Sequence, residues 1–133
     1  MSEARILLVD DERDIAEALS FALTSDGYEV EIATDGEVGY RSALQNPPDL
    51  LILDVMLPGI NGYEISRQLK DWMKGAPAGK SFPILLITAR RIHTPQREEF
   101  LSVWSRADAV LYKPFELSDL AKCVEELLAA AMT

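Results

Sequence analysis

The chain has 133 residues, 48% apolar and 26% charged, a balance that fits one folded domain with a real core. Its net charge of −9 excludes a domain that grips nucleic-acid phosphates or an anionic membrane through a basic surface. Cys123 is the single cysteine and leaves no internal disulfide. The opening "MSEARILLVDDE" closes its short apolar stretch with acids, unlike a signal peptide, and no apolar run nears the roughly 20 residues that span a bilayer. These absences predict a cytoplasmic protein.

In chain order, "RILLVDD" reads as a buried strand that ends in acids. "ERDIAEALSFALTSDG" follows as a helix with Ile15, Leu19 and Ala22 at helical spacing and Gly27 as its stop. "YEVEIAT" alternates like a strand, and "GEVGYRSALQN" is a weaker helix ended by Pro47-Pro48. "DLLILD" is a third strand. "GYEISRQLKDWMK" is a helix with Ile65, Leu69 and Trp72 on one face. "KGAPAGKS", residues 74 to 81, is a Gly/Pro/Ala-rich surface loop, too short to link domains. "FPILLITA" is a fourth strand. "TPQREEFLSVWSR" is a helix with Thr94 as N-cap and Pro95 in its first turn. "DAVLY" is a fifth strand. "ELSDLAKCVEELLAAAM" is a helix with Leu117, Leu120, Val124 and Leu127 in register.

Five strand–helix units in series imply an α/β domain, a parallel sheet covered by helices on both faces. The first, third and fourth strands are near-continuous apolar runs, as buried parallel strands are. The expectation is one domain over residues 1–133. In such sheets ligands bind beyond the carboxyl ends of the strands. Asp10-Asp11 end the first strand, Asp54 the third and Thr88 the fourth, while the fifth runs into Lys113-Pro114. All of these should gather at one edge.

Carboxylates crowded into one crevice repel, and at least one pKa would rise. A hard divalent cation, Mg²⁺ or Mn²⁺, relieves this through oxygen ligands; the lack of nearby Cys and His argues against zinc. Lys113 adds a compact positive charge. A carboxylate flanked by a metal and an ammonium can attack phosphorus, with both cations neutralising the incoming phosphoryl group and Thr88 donating to one of its oxygens. Taken singly, Asp10-Asp11 also fit a strand-end turn with a cap for the next helix, Thr88 a structural threonine and Lys113 a surface lysine. Cys123 reads as packing, His93 as an exposed loop residue, and Met56, Met73 and Met132 as core or boundary residues. Arg41 and Arg67 read as solvated. Arg90, two residues past Thr88, is either solvated or reaches toward the phosphoryl site.

With the acidic pair, "LILDVMLPGING", "LLITA" and "YKPF" in this order, the chain resembles the receiver domain of bacterial two-component response regulators along essentially its whole length. The resemblance implies a (βα)₅ flavodoxin-like, doubly wound sheet of order 2-1-3-4-5. It implies Asp54 as phospho-acceptor, and Asp11, Asp10, Asp54 and the Met56 backbone carbonyl around Mg²⁺ or Mn²⁺. Thr88, Lys113 and the amides of Met56 and Ala89 would bind the phosphoryl group. The Lys113-Pro114 bond is usually cis in this family.

The implied partners are a sensor histidine kinase or a histidine phosphotransfer protein, and an output partner or effector domain that the residues do not name. Dimerisation is compatible with the family. The implied role is a switch with self-phosphorylation and autodephosphorylation at Asp54, not a turnover enzyme. A phosphorylation-independent interaction module is the alternative. An aspartyl phosphohydrolase is disfavoured, because Met56 stands where such an enzyme places its second acid. The chain stops after its fifth helix, which fits a stand-alone regulator and a fragment of a longer protein alike.

Two departures from the family pattern stand out. Val110 occupies the position, three before the lysine, where the family usually has a switching aromatic. Tyr112, on the same strand face about 6.6 Å away, and Trp104 are the candidate substitutes. Arg106 occupies a position that is commonly glycine, and the segment from Thr88 to Lys113 is a few residues long.

Overall fold

The computed structural model describes residues 3–77, 80–89 and 94–131. Ten elements alternate along the chain: β1 (Arg5–Val9), α1 (Arg13–Ser25), β2 (Glu29–Ala33), α2 (Gly36–Gln45), β3 (Leu50–Asp54), α3 (Gly62–Lys74), β4 (Ile84–Ala89), α4 (Pro95–Ser105), β5 (Ala109–Lys113) and α5 (Leu117–Ala131). All four strand pairings are parallel, and the sheet order is β2-β1-β3-β4-β5. This is the doubly wound (βα)₅ architecture expected from the repeating units.

Strand alternation divides the core in two. Leu7, Val9, Leu51, Leu53, Ile84 and Leu86 point to one face, under Ala43 of α2, Ile65 and Leu69 of α3, and Leu101 and Trp104 of α4. Ile6, Leu8, Leu50, Ile52, Leu85 and Ile87 point to the other, under Ala16, Leu19 and Leu23 of α1 and Leu120 and Val124 of α5. Every residue of β3 is buried, because the central strand is covered on both sides.

One helix is rotated from the expected face, and another keeps that face but departs at a single residue. In α1 the buried set is Ala16, Leu19 and Leu23, and Ile15 lies at the surface. Both sets share Leu19 at helical spacing, so the period alone does not select between them. In α5, Leu120 and Val124 are buried and Leu127 packs beside them, but Leu117 is exposed at the first turn. The face expected for α3 is correct: Ile65 and Leu69 are buried, with Trp72 packed against the same core.

The caps follow local chemistry. Thr94 accepts from the Arg97 amide at 3.2 Å and Pro95 opens α4. Asp35 caps α2 and Asn61 caps α3, both through a side-chain oxygen. Gly27, at φ 98°, carries the chain out of α1 as expected. Arg106, the residue immediately after α4, takes φ 61° and is the one non-glycine with positive φ among the described residues. Cys123 is half-buried against the α1–α5 core, and burial pushes its thiol pKa up, as suits a packing residue. Met73 packs against the α2–α4 core, whereas Met56 is exposed, contrary to expectation. Met132, His93 and Arg90, and part of the 74–81 loop, lie outside the described residues.

Candidate phosphoryl site

The sheet brings Asp10, Asp11, Asp54, Thr88 and Lys113 to its carboxyl edge, each at or just past the end of its strand. Carboxylate oxygens of Asp10, Asp11 and Asp54 all lie within 4.8 Å of one another. Asp10 and Asp54 are buried, and Asp11 is exposed at the mouth.

Asp54 is held from two sides. Its Oδ1 accepts from the Met56 amide at 2.8 Å, and its Oδ2 accepts from Lys113 Nζ at 3.2 Å. Lys113 reaches it from β5 across the intervening strand β4. Its bond to Pro114 is cis, as expected. The backbone behind Asp54 is equally fixed. Val55 donates to the Ile87 carbonyl at 2.9 Å, and Gly62 donates to the Val55 carbonyl at 3.0 Å. A Cβ at Gly62 would sit 2.6 Å from the Asp54 carbonyl oxygen and 2.7 Å from Val55 Cα. Glycine is therefore required where α3 starts against β3. Gly59, in the loop between them, takes φ 84°, a left-handed turn that favours glycine.

Asp10 accepts from the Glu12 amide at 3.0 Å, a turn that leaves α1 without a side-chain cap. Its carboxyl pKa is pushed up from 3.8 to about 6. Burial is the main cause; the Glu12 amide opposes it, the charge of Asp54 adds to it, and Lys113 partly offsets it. Two buried acids and an exposed third, all oxygen donors, make a donor set that suits a hard divalent cation. Among the described residues the set contains no thiolate or imidazole.

Thr88 is buried, continues the α3–α4 face of β4 begun by Ile84 and Leu86, and is in register with Tyr112. Val110 is half-buried against the same core, and Trp104 packs there from α4. The structure also shows groups that the sequence reading passed over. The Tyr63 hydroxyl donates to Glu98 Oε2 at 2.6 Å, linking α3 to α4 with both residues buried. Burial and then this hydrogen bond push the phenol pKa well up, while a hydrogen bond from Thr88 works the other way. Arg67, expected in solvent, donates to the Trp104 carbonyl at 2.8 Å and lies 4.9 Å over its ring. Arg41 is exposed, as expected, beside Glu37 one turn away. The one clue to the Tyr63 pair was an aromatic beside a glycine at a helix start; Glu98 reads as an ordinary acid of a first helical turn.

Comparison with known proteins agrees with this geometry. The chain is 39% identical over 124 residues to the response regulator MprA of Mycobacterium leprae (strain TN), covering 93% of this chain and 50% of that protein. It is 37% identical over 123 residues to the response regulator ArlR of Staphylococcus haemolyticus, covering 92% and 52%. The chain thus spans about half the length of these curated relatives. Among solved structures, a CheY-like response regulator receiver domain protein from Methanospirillum hungatei superposes with a TM-score of 0.85 at 27% identity, over 98% of both chains. A putative response regulator from Chloroflexus aurantiacus gives 0.81 at 35% identity, over 96% and 99%. Residues 6–125 match the family model of the response regulator receiver domain, and the chain belongs to that family.

Proposed function

We propose that this receiver domain accepts a phosphoryl group on Asp54 in a Mg²⁺-dependent transfer from a phosphohistidine. The observation that carries the reading is the setting of the Asp54 carboxylate, which is buried at a strand end, 3.2 Å from Lys113 Nζ and beside Asp10 and Asp11. An Asp54 oxygen forms the new P–O bond as the donor P–N bond breaks. The departing imidazole nitrogen keeps the bonding pair and takes up a proton. Asp10, Asp11, Asp54 and the Met56 carbonyl would hold the Mg²⁺, with Mn²⁺ as a substitute. When bound, the ion neutralises phosphoryl charge as the bond forms. Lys113 neutralises it from the β5 side, Thr88 donates to one oxygen, and the Met56 and Ala89 amides are the remaining donors. The Met56 amide already points at the Asp54 carboxylate.

Hydrolysis of the acyl phosphate by water returns Asp54 and resets the state, so the domain is a switch and not a turnover enzyme. The donor is a sensor histidine kinase or a histidine phosphotransfer protein. The output passes through the loop after β4, α4 and β5 to a partner or effector domain. Residues 1–133 act as one receiver domain in the cytoplasm. In the structure, no helix among the described residues is long and apolar enough to cross a membrane.

Incubation with acetyl phosphate and Mg²⁺, read by intact mass, tests the assignment. One phosphoryl adduct is expected on the wild type and none on Asp54→Asn. An undiminished adduct on the variant would refute it. Absence of any adduct on the wild type would favour the phosphorylation-independent interaction module.

A further inference from the structure

Among the described residues, three side-chain hydrogen bonds join α4 to α3. Ser66 donates to the Ser105 carbonyl at 3.0 Å, and Arg67 donates to the Trp104 carbonyl; both hold the C-terminal end of α4. The third, Tyr63 to Glu98 Oε2, holds its first turns and is the one beside Thr88. Tyr63 directly follows Gly62, whose backbone lies against that of Asp54. This single side chain therefore spans from the acceptor loop to α4.

Its hydrogen bonds form a short directed series. The phenol donates to Glu98, which leaves its oxygen open to a donor, and the buried Thr88 hydroxyl is the neighbour that holds the phenol pKa down from that side. A threonine hydroxyl has one proton. It cannot serve a phosphoryl oxygen on Asp54 and the Tyr63 phenol together, so gaining the first forfeits the second. Neighbouring hydrogen bonds polarise one another, and loss of the Thr88 link weakens the Tyr63–Glu98 link beyond it. Glu98 is poorly secured in any case. It is only 3% exposed, yet its Oε1 has no hydrogen-bond partner among the described residues. A buried acceptor left unmet disfavours the state that holds it.

We propose that the Tyr63–Glu98 hydrogen bond couples phosphorylation of Asp54 to α4 in this chain, with Thr88 as the hydroxyl to which it responds. The proposal rests on the reading of Asp54 as acceptor. It assigns to α3 the relay that an aromatic at Val110 would otherwise provide, and makes Tyr63 and Glu98 positioning residues of the switch.

The test uses a Trp72→Phe background, so that Trp104 on α4 is the one tryptophan. Phosphorylation by acetyl phosphate with Mg²⁺ is followed by intact mass, and Trp104 emission is recorded on the same samples. The parent is expected to gain one phosphoryl group and to change its emission. Tyr63→Phe is expected to gain the group to a similar extent while its emission response falls by about five-fold or more. Glu98→Gln, which keeps an oxygen acceptor for Tyr63, should retain most of the response, and Glu98→Leu should lose it. A full emission response in phosphorylated Tyr63→Phe or Glu98→Leu would overturn the proposal, as would a silent Trp104 in the phosphorylated parent. A parent without any adduct would instead overturn the assignment of Asp54, and the relay with it.

Discussion

Asp10 is buried beside a second acid, and its ionisation in the fold is opposed until about pH 6. For an acid whose folded pKa lies above its unfolded value, the penalty is absent below the unfolded pKa of 3.8, grows as pH rises, and is complete above about 6. Asp10→Asn removes the charge while an amide oxygen can still accept from Glu12. In the metal-free protein it should raise stability at pH 7.5 by about 1–3 kcal/mol, a gain that shrinks through pH 6 and vanishes near pH 4. Denaturant melts in chelator across that range check it; a gain independent of pH would refute the electrostatic cause. Arg106 is the complementary case, a strain outside the site. A non-glycine residue at φ 61° costs about 1–2 kcal/mol, and its 2.7 Å pair with Asp71 is exposed and worth less than about 1 kcal/mol. Arg106→Gly should therefore be neutral to stabilising by up to about 1 kcal/mol, as read by the thermal midpoint.

The elements differ in how much of them was legible beforehand. Strands of continuous Leu and Ile with an acid at the tip admit one reading, so β1 and β3 and the places of Asp10 and Asp54 followed from the residues. The rotation of α1 did not. Ile15–Leu19–Ala22 and Ala16–Leu19–Leu23 are equally periodic, and only the shape of the sheet beneath selects the second. Side-chain partnerships between elements, such as Tyr63 with Glu98 or Arg67 with Trp104, depend on how α3 and α4 sit side by side, and no local pattern encodes that. Gly62 shows the reverse. "NGY" looks like an ordinary helix start, but its glycine is fixed by backbone atoms of another element at 2.6 and 2.7 Å. Gly62→Ala must push α3 off β3. It should cost about 1–3 kcal/mol in stability. It should also slow the proposed adduct formation on Asp54 by about ten-fold or more, since the Asp54 backbone itself is displaced. Chemical denaturation and the time course of intact mass measure the two effects.

At the scale of the molecule, the order β2-β1-β3-β4-β5 gathers four strand ends at one edge: β1 and β3 bring the carboxylates, β4 brings Thr88 and β5 brings the ammonium of Lys113. A divalent cation held by the acidic corner would couple the fold to its concentration. Mg²⁺ at about 100 times its Kd should stabilise the protein by about 2.7 kcal/mol. Asp11→Asn, at an exposed position, should leave the metal-free thermal midpoint nearly unchanged and remove most of that increment. An equal Mg²⁺ increment in the variant would remove Asp11 from the metal site.

The attachment of α4 has a mechanical corollary. Its final turn is held to α3 by the Ser66 and Arg67 hydrogen bonds, and the residue just past it, Arg106, pairs with Asp71 of α3. Among the described residues, its opening turns are held by the Tyr63 phenol and by the packing of Leu101. A helix fastened so unevenly has a pivot near Ser105 and a free arm toward Thr94. Displacement of α4 would then be a swing and not a slide, largest at Phe100 and Gln96, while the Trp104 ring, packed on the core under Arg67, registers the tilt through its surroundings. A partner that distinguishes the two states would find most of the difference on the arm.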